Sequence, residues 1–194
     1  MDLSDFVSKA IPHLVKGFLS DNLPSKAAGI ISEHAKFAIA PALLGGIFPV
    51  VNTFATPTII TITVWHMYVE LSDLLKVKFS ENTIKSIAIG VVSNLSSYLA
   101  VSLGLNTALS FIPFVSSISG AAVTFISVAM SGIIYLEIID KLFVSYGEIP
   151  EKSAEEIKRM ADDIIQKADI DSMTKDLKEI YTQNENSIKE IAEK

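Results

Sequence analysis

The sequence predicts an all-α protein: two nested apolar helical hairpins with amphipathic N- and C-terminal helices. Three observations carry that expectation. Residues 37–69 and 86–136 run for 33 and 51 positions without one charged side chain. Each run is broken near its middle by glycine or proline, which ends a helix and turns the chain. Both chain ends repeat apolar residues at i, i+3, i+4 and i+7, the period of a helix with one buried face.

Met1–Ser25 places Phe6, Val7, Ala10, Ile11, Leu14, Val15, Phe18 and Leu19 on one helical stripe. Ser4 is the expected N-cap, and Pro12 is expected to kink the helix or to open a new first turn. The stripe packs on the chain's own core, or lies on a membrane surface or in a partner groove. Only Lys9 and Lys16 decorate its polar side, which is thin for anionic lipid. Asn22-Leu23-Pro24-Ser25 reads as a turn, and a second helix is expected from Ala27.

Pro49 and Pro57 bracket a predicted break, after which Thr58–Leu75 forms the next helix. Its β-branched start would suit a strand, but the apolar run is too long for one and does not alternate. Ser80 is placed to cap a helix beginning near Glu81. The second hairpin pairs Ile84–Leu103 with Phe114–Leu142 across Gly104, Asn106 and Pro113. Small residues recur four apart at Ser93/Ser97, Ser116/Gly120 and Ser127/Ser131, a spacing that brings helix backbones close in lipid or in water.

The composition changes at Gly147-Glu148-Ile149-Pro150. Residues 149–194 hold eight basic and twelve acidic residues, a net of −4 out of the chain's −6. Ser153 and Glu156 form a capping box. Ile157, Met160, Ala161, Ile164, Ile165 and Ala168 make one apolar face; Met173, Leu177, Ile180 and Tyr181 make another after Asp169–Ser172. This helix pair docks on the bundle, or joins a partner as a short coiled coil. The units expected are therefore 1–26, an amphipathic N-terminal helix; 27–148, the hydrophobic hairpin domain; and 149–194, charged amphipathic helices whose removal should leave the hairpins folded.

Several functions are disfavoured by composition. A net charge of −6 offers no basic face to nucleic acid. The absence of cysteine removes disulfides, thiolate metal sites and a thiol nucleophile. The start MDLSDF lacks a basic n-region, so no cleaved leader is read. No phosphate cradle G-x-x-x-x-G-K-[ST] and no nucleophile elbow G-x-S-x-G occurs. His66, Glu70 and Asp73 share a helix face at i, i+4, i+7 and form the one grouping that resembles a metal site, but no second histidine joins them. His13 and His34 stand alone in sequence. Asp162-Asp163 and Asp169-Ile170-Asp171 lack the glycine and terminal glutamate of a calcium loop. No catalytic, cofactor or metal residue is assigned, and a non-enzymatic protein is expected.

Mean hydropathy is +0.42. Ile84–Leu103 and Phe114–Leu136 are long and apolar enough to span a bilayer. Lys76, Lys78 and Lys85 lie between the two hydrophobic units, whereas both hairpin tips are uncharged. If the two units are membrane hairpins, that arrangement predicts both termini on the cytoplasmic side. Three stretches add a resemblance: IFPVVNTFATP, VWHMYVELSDLLKVKFSENTIKSI, and SFIPFVSSISGAAVTFISVAMSGIIYLEII. Over about residues 27–143 the chain resembles the helical domain of unknown function that follows the GTP-binding domain in bacterial Era-like GTPases and occurs in related inner-membrane proteins. The resemblance implies a membrane setting and a separate GTPase as protein partner, since no GTP-binding motif stands in this chain. The sequence departs from that pattern shortly after the Ile-Pro, where Val115 or Ser116 stands in place of the usual glycine. The expected function is a membrane-associated helical anchor or scaffold. The alternatives are a soluble helical-bundle interaction protein, cytoplasmic and with the hairpins as its core, and a membrane-permeabilising effector. A homo-oligomer is compatible with each.

Overall fold

The computed structural model describes residues 2–17, 22–44, 52–102, 116–148 and 152–192. They form eight helices and, among the described residues, no strand, so the all-α expectation holds. The order is α1 (Leu3–Ala10), α2 (Pro12–Gly17), α3 (Leu23–Leu44), α4 (Asn52–Leu75), α5 (Glu81–Ser102), α6 (Ser116–Tyr146), α7 (Ala154–Lys167) and α8 (Ile170–Ala192).

Local chemistry explains where these helices start. Pro12 opens α2 as its first residue, where a missing N–H costs nothing. The cap of α1 is Asp2 rather than Ser4: Asp2 accepts from Asp5 N, and the Asp5 side chain answers to the Asp2 backbone. Ser4 is the second residue of the helix, and its hydroxyl bonds that of Ser25 instead. The expected turn at 22–25 is the first turn of α3, since Pro24 needs no donor there. Likewise α4 begins at Asn52, so Pro57 lies inside it; that near the N-terminus, a proline removes only one ladder bond. Ser80 does cap α5, accepting from Thr83 N. The Ser153–Glu156 capping box opens α7 as expected, and Asp169 accepts from Ser172 N at the start of α8. Gly45, Gly46, Pro49, Gly104, Asn106 and Pro113 fall outside the described residues.

The centre of the molecule is α6. Every residue from Thr124 to Leu136 is buried, all round the helix. A helix apolar on every face must be enclosed on every face. Each of the other seven helices packs against it. Helices α3 to α6 run alternately up and down. His34 of α3 meets Glu70 of α4, Lys85 of α5 lies over Trp65 of α4, and Tyr68 and Ser72 of α4 meet Ser131 and Tyr135 of α6. At Gly132 side chains of both α3 and α4 press on α6: a Cβ there would stand 2.7 Å from Ile31 Cγ1 and 3.2 Å from Met67 Cε.

The tail docks in cis. Ile157, Ala161, Ile164, Ile165, Ile170, Leu177, Ile180 and Tyr181 join the same core as the hairpins. Its faces cover α5, α6 and α3. Tyr181 meets Phe125 of α6 with ring centroids 5.6 Å apart, Asn94 bonds Asp162, and Lys141 reaches Asp163 at 2.6 Å.

Two predictions follow from this packing. Gly132→Val should lower stability by about 1–3 kcal/mol through overpacking, read as a shift in the urea midpoint at unchanged m-value. Truncation after Ile149 should give an aggregating or dye-binding product rather than a folded remnant, because it uncovers α5 and α6. A monomeric product with the helical content of residues 1–149 in the full chain would contradict this.

Candidate functional site

His66, Glu70 and Asp73 all lie on the solvent face of α4. They do not converge: Glu70 turns to His34 on α3, 3.1 Å away, and His66 rests edge-on against Trp65 at 4.8 Å. No group of three or more His, Asp or Glu among the described residues is placed to hold a metal ion. The acidic pairs of the tail are surface ties. Asp163 bridges Lys141 and Lys167, which hold its carboxyl down to about 2. Asp162 bonds Asn94.

The buried polar groups are structural. Tyr68 and Tyr135 stack with centroids 4.1 Å apart. Tyr68 donates to the Ser131 carbonyl at 2.8 Å, and Ser72 donates to the Tyr68 carbonyl at 2.6 Å. That leaves Tyr135 to donate to the Ser72 hydroxyl at 2.6 Å. Burial raises both phenols well above their usual range, so neither ionises. Every donor in this chain is used, and it locks α4 onto α6 without leaving a base or a nucleophile. Two polar pairs at i, i+4, Tyr68/Ser72 and Ser131/Tyr135, were its only trace in the sequence.

His13 is not isolated. Buried Asp140 of α6 accepts from His13 N at 3.1 Å, Leu14 N at 2.7 Å and His13 Nδ1 at 2.8 Å. Ile11 cannot cap α2, so a carboxylate from 127 positions along the chain satisfies its first free N–H groups. One turn before Asp140, Glu137 is pushed up to about 7, first by burial and then by the Asp140 charge, with Lys141 opposing.

The feature that remains is a separation of charge along the bundle. With α3 and α5 running one way and α4 and α6 the other, the helix ends at Leu44, Asn52, Ser102 and Ser116 share one end of the core. From there, α3 is uncharged back to Phe37, α4 on to Val69, α5 back to Ser86 and α6 on to Leu136. The core's charges gather at the opposite half, in Lys26, Glu33, Lys36, Glu70, Asp73, Glu81, Lys85, Glu137, Asp140 and Lys141. The uncharged stretch of α6, residues 116–136, rises about 31 Å at 1.5 Å per residue. Among the described residues, one helical stretch, Ala122–Tyr146, is long and apolar enough to cross a membrane; 83% of its apolar window is buried inside the bundle. Neither the family models, nor the curated proteins, nor the solved structures compared with this chain match it.

Glu137 supplies a test of the site electrostatics. The folded state holds its proton to about pH 7, the unfolded state only to about 4.5. Between those values the unfolded chain binds fewer protons, so stability falls as pH rises and levels off above 7. Glu137→Gln should flatten that fall and be the more stable protein above pH 7 in urea titrations, with the advantage shrinking toward pH 4.5. Asp140→Ala, which strands two N–H groups of α2, should cost about 1–3 kcal/mol.

Proposed function

We propose that this chain is a non-enzymatic, membrane-associated helical scaffold that anchors at the cytoplasmic face of an inner membrane. The observation that supports it most is the charge-free end shared by α3, α4, α5 and α6. Two uncharged runs separated by 16 residues of sequence are stacked at one end, where an apolar phase rewards their burial and no charge must be desolvated. The lysines between the runs stay at the other end, which fits both termini facing the cytoplasm. The resemblance of residues 27–143 to the helical domain associated with Era-like GTPases favours the same setting, with a separate GTPase as the protein that the scaffold serves.

A second reading has its own observation. Because α6 is wrapped by seven helices, its apolar surface is already satisfied in water. A soluble bundle that binds proteins through its outer faces is consistent with that enclosure.

Flotation of the purified full chain with phosphatidylcholine and phosphatidylcholine–phosphatidylglycerol vesicles separates the two. Comigration with vesicles at low and high salt is expected for the scaffold. Recovery at the bottom of the gradient in both, together with a detergent-free soluble fraction in cells, would remove the membrane reading. The same sample should release no phosphate from GTP or ATP above background; turnover lost on His66→Ala or Glu70→Ala would overturn the non-enzymatic assignment.

A further inference from the structure

The amphipathic helices do not sheathe the core evenly. Helices α1 and α2 cover α6, with α1 also on α3; α7 covers α5 and α6; α8 covers α3, α5 and α6. Among the described residues, α4 packs substantially only on α3, α5 and α6, so its outer face is bare. That face changes character along its length. The ridge reads Asp73, Glu70, His66 and Ile62, all exposed, and passes from charged to apolar toward the charge-free end. The same change occurs on both neighbours. On α3, His34 pairs with Glu70 and the next turn carries Phe37, 70% exposed. On α5, Lys85 lies 5.3 Å from the Trp65 ring centroid and the next turn carries Ile89, 46% exposed beside the 49% of Ile62. Three of the five large apolar side chains that the described surface exposes thus sit around one uncovered helix, all on the charge-free side of the same level.

We infer that this α4 face, with Phe37 and Ile89 at its margins, is the surface that seats on the lipid bilayer, with Trp65, Lys85 and the His34–Glu70 pair at headgroup level. The inference rests on the membrane reading above and adds a face, a depth and an orientation to it. A bilayer fits better than a protein partner for a reason visible in the pattern. A protein interface has a polar rim around its apolar core. Along α4 and α5 themselves charge borders the patch on one edge only, because beyond Ile62 and Ile89 both helices are uncharged to their ends; the flank of α5 turned toward α7 meets Lys158 at Gly90 and Asp162 at Asn94. A tryptophan and a lysine at the transition are the residues that favour the membrane–water boundary. The occupant is one leaflet rather than a full span, because α8 carries its charged face along the other side of α6, at Phe125, within the charge-free half. The bundle can seat by α4 without moving α8.

Trp65 is the chain's single tryptophan, so its fluorescence reports this level alone. The full chain is mixed with vesicles whose phosphatidylcholine is brominated at a shallow, a middle or a deep acyl position. Strongest quenching of Trp65 by the shallow label is expected. Ile62→Glu, Phe37→Glu and Ile89→Glu, each at an exposed site and checked for unchanged helical content, should each weaken flotation about tenfold or more. Val144→Glu, exposed at the charged end of α6, should float as the wild type does. Wild type that floats with Trp65 unquenched at every depth, or Glu variants that float normally, would overturn this face while leaving the anchor in place. Wild type that floats with no vesicle would overturn both. A wild type that stays off vesicles but self-associates, with Ile62→Glu monomeric, would assign the face to a second copy of the chain instead.

Discussion

The structure depends on enclosing α6. Thirteen consecutive residues, Thr124 to Leu136, are buried without a gap, which no single partner helix can achieve. Each buried Ile, Val, Leu or Met side chain contributes about 1.5–3 kcal/mol when removed from water, so the driving force lies in completing the wrap. The terminal helices owe their order to it. Helices α1 and α7 are short, and isolated helices of such length are marginal in water. Their apolar stripes are held by surface that α6 and its neighbours cannot cover themselves.

Such a core leaves little room for polar groups; among the described residues Trp65 Nε1 and Thr174 Oγ1 are buried without a partner, whereas those at the contact of α4 with α6 have their hydrogen bonds matched. The Tyr68–Ser72–Tyr135–Ser131 chain fixes the register of α4 on α6. Apolar ridges alone would tolerate a slip of one turn; a slip here would strand four buried polar groups at about 1–3 kcal/mol each. Asp140 does comparable work at the end of α6, where it fastens α2 by capping it. Glu137 beside it is the exception: a carboxyl whose charged form the fold disfavours, left at the boundary between the charge-free and the charged halves.

That boundary connects the architecture to the proposed role. A soluble bundle gains from charges spread over its surface, which keep molecules apart in solution. This chain restricts charge in α3 to α6 to one half and leaves α4 uncovered there. The enclosure of α6 and the exposure of the α4 face are compatible, because the first concerns the inside of the bundle and the second one outer flank. A membrane scaffold can therefore keep its most apolar helix dry and still present apolar surface to lipid.

Helix content was legible in the sequence, because it follows from local chemistry: charge-free length, the Ser80 cap, the Ser153–Glu156 box and the 3.6-residue period of the tail. Helix starts near proline were misplaced at residues 22–25 and 57, since proline is tolerated in or near a first turn and only the finished helix shows which turn that is. Periodicity showed that residues 149–194 have apolar faces but not where they go; only the packing shows them merged into one core. The partners of His13, His34 and Asp140 are set by contacts between elements far apart in the chain, which no local pattern encodes. The sequence alone determined that charge is absent from two long runs. Only the tertiary structure decided that both runs point the same way, since the direction of a helix in a bundle is settled by which faces bury each other and not by the composition of any one helix.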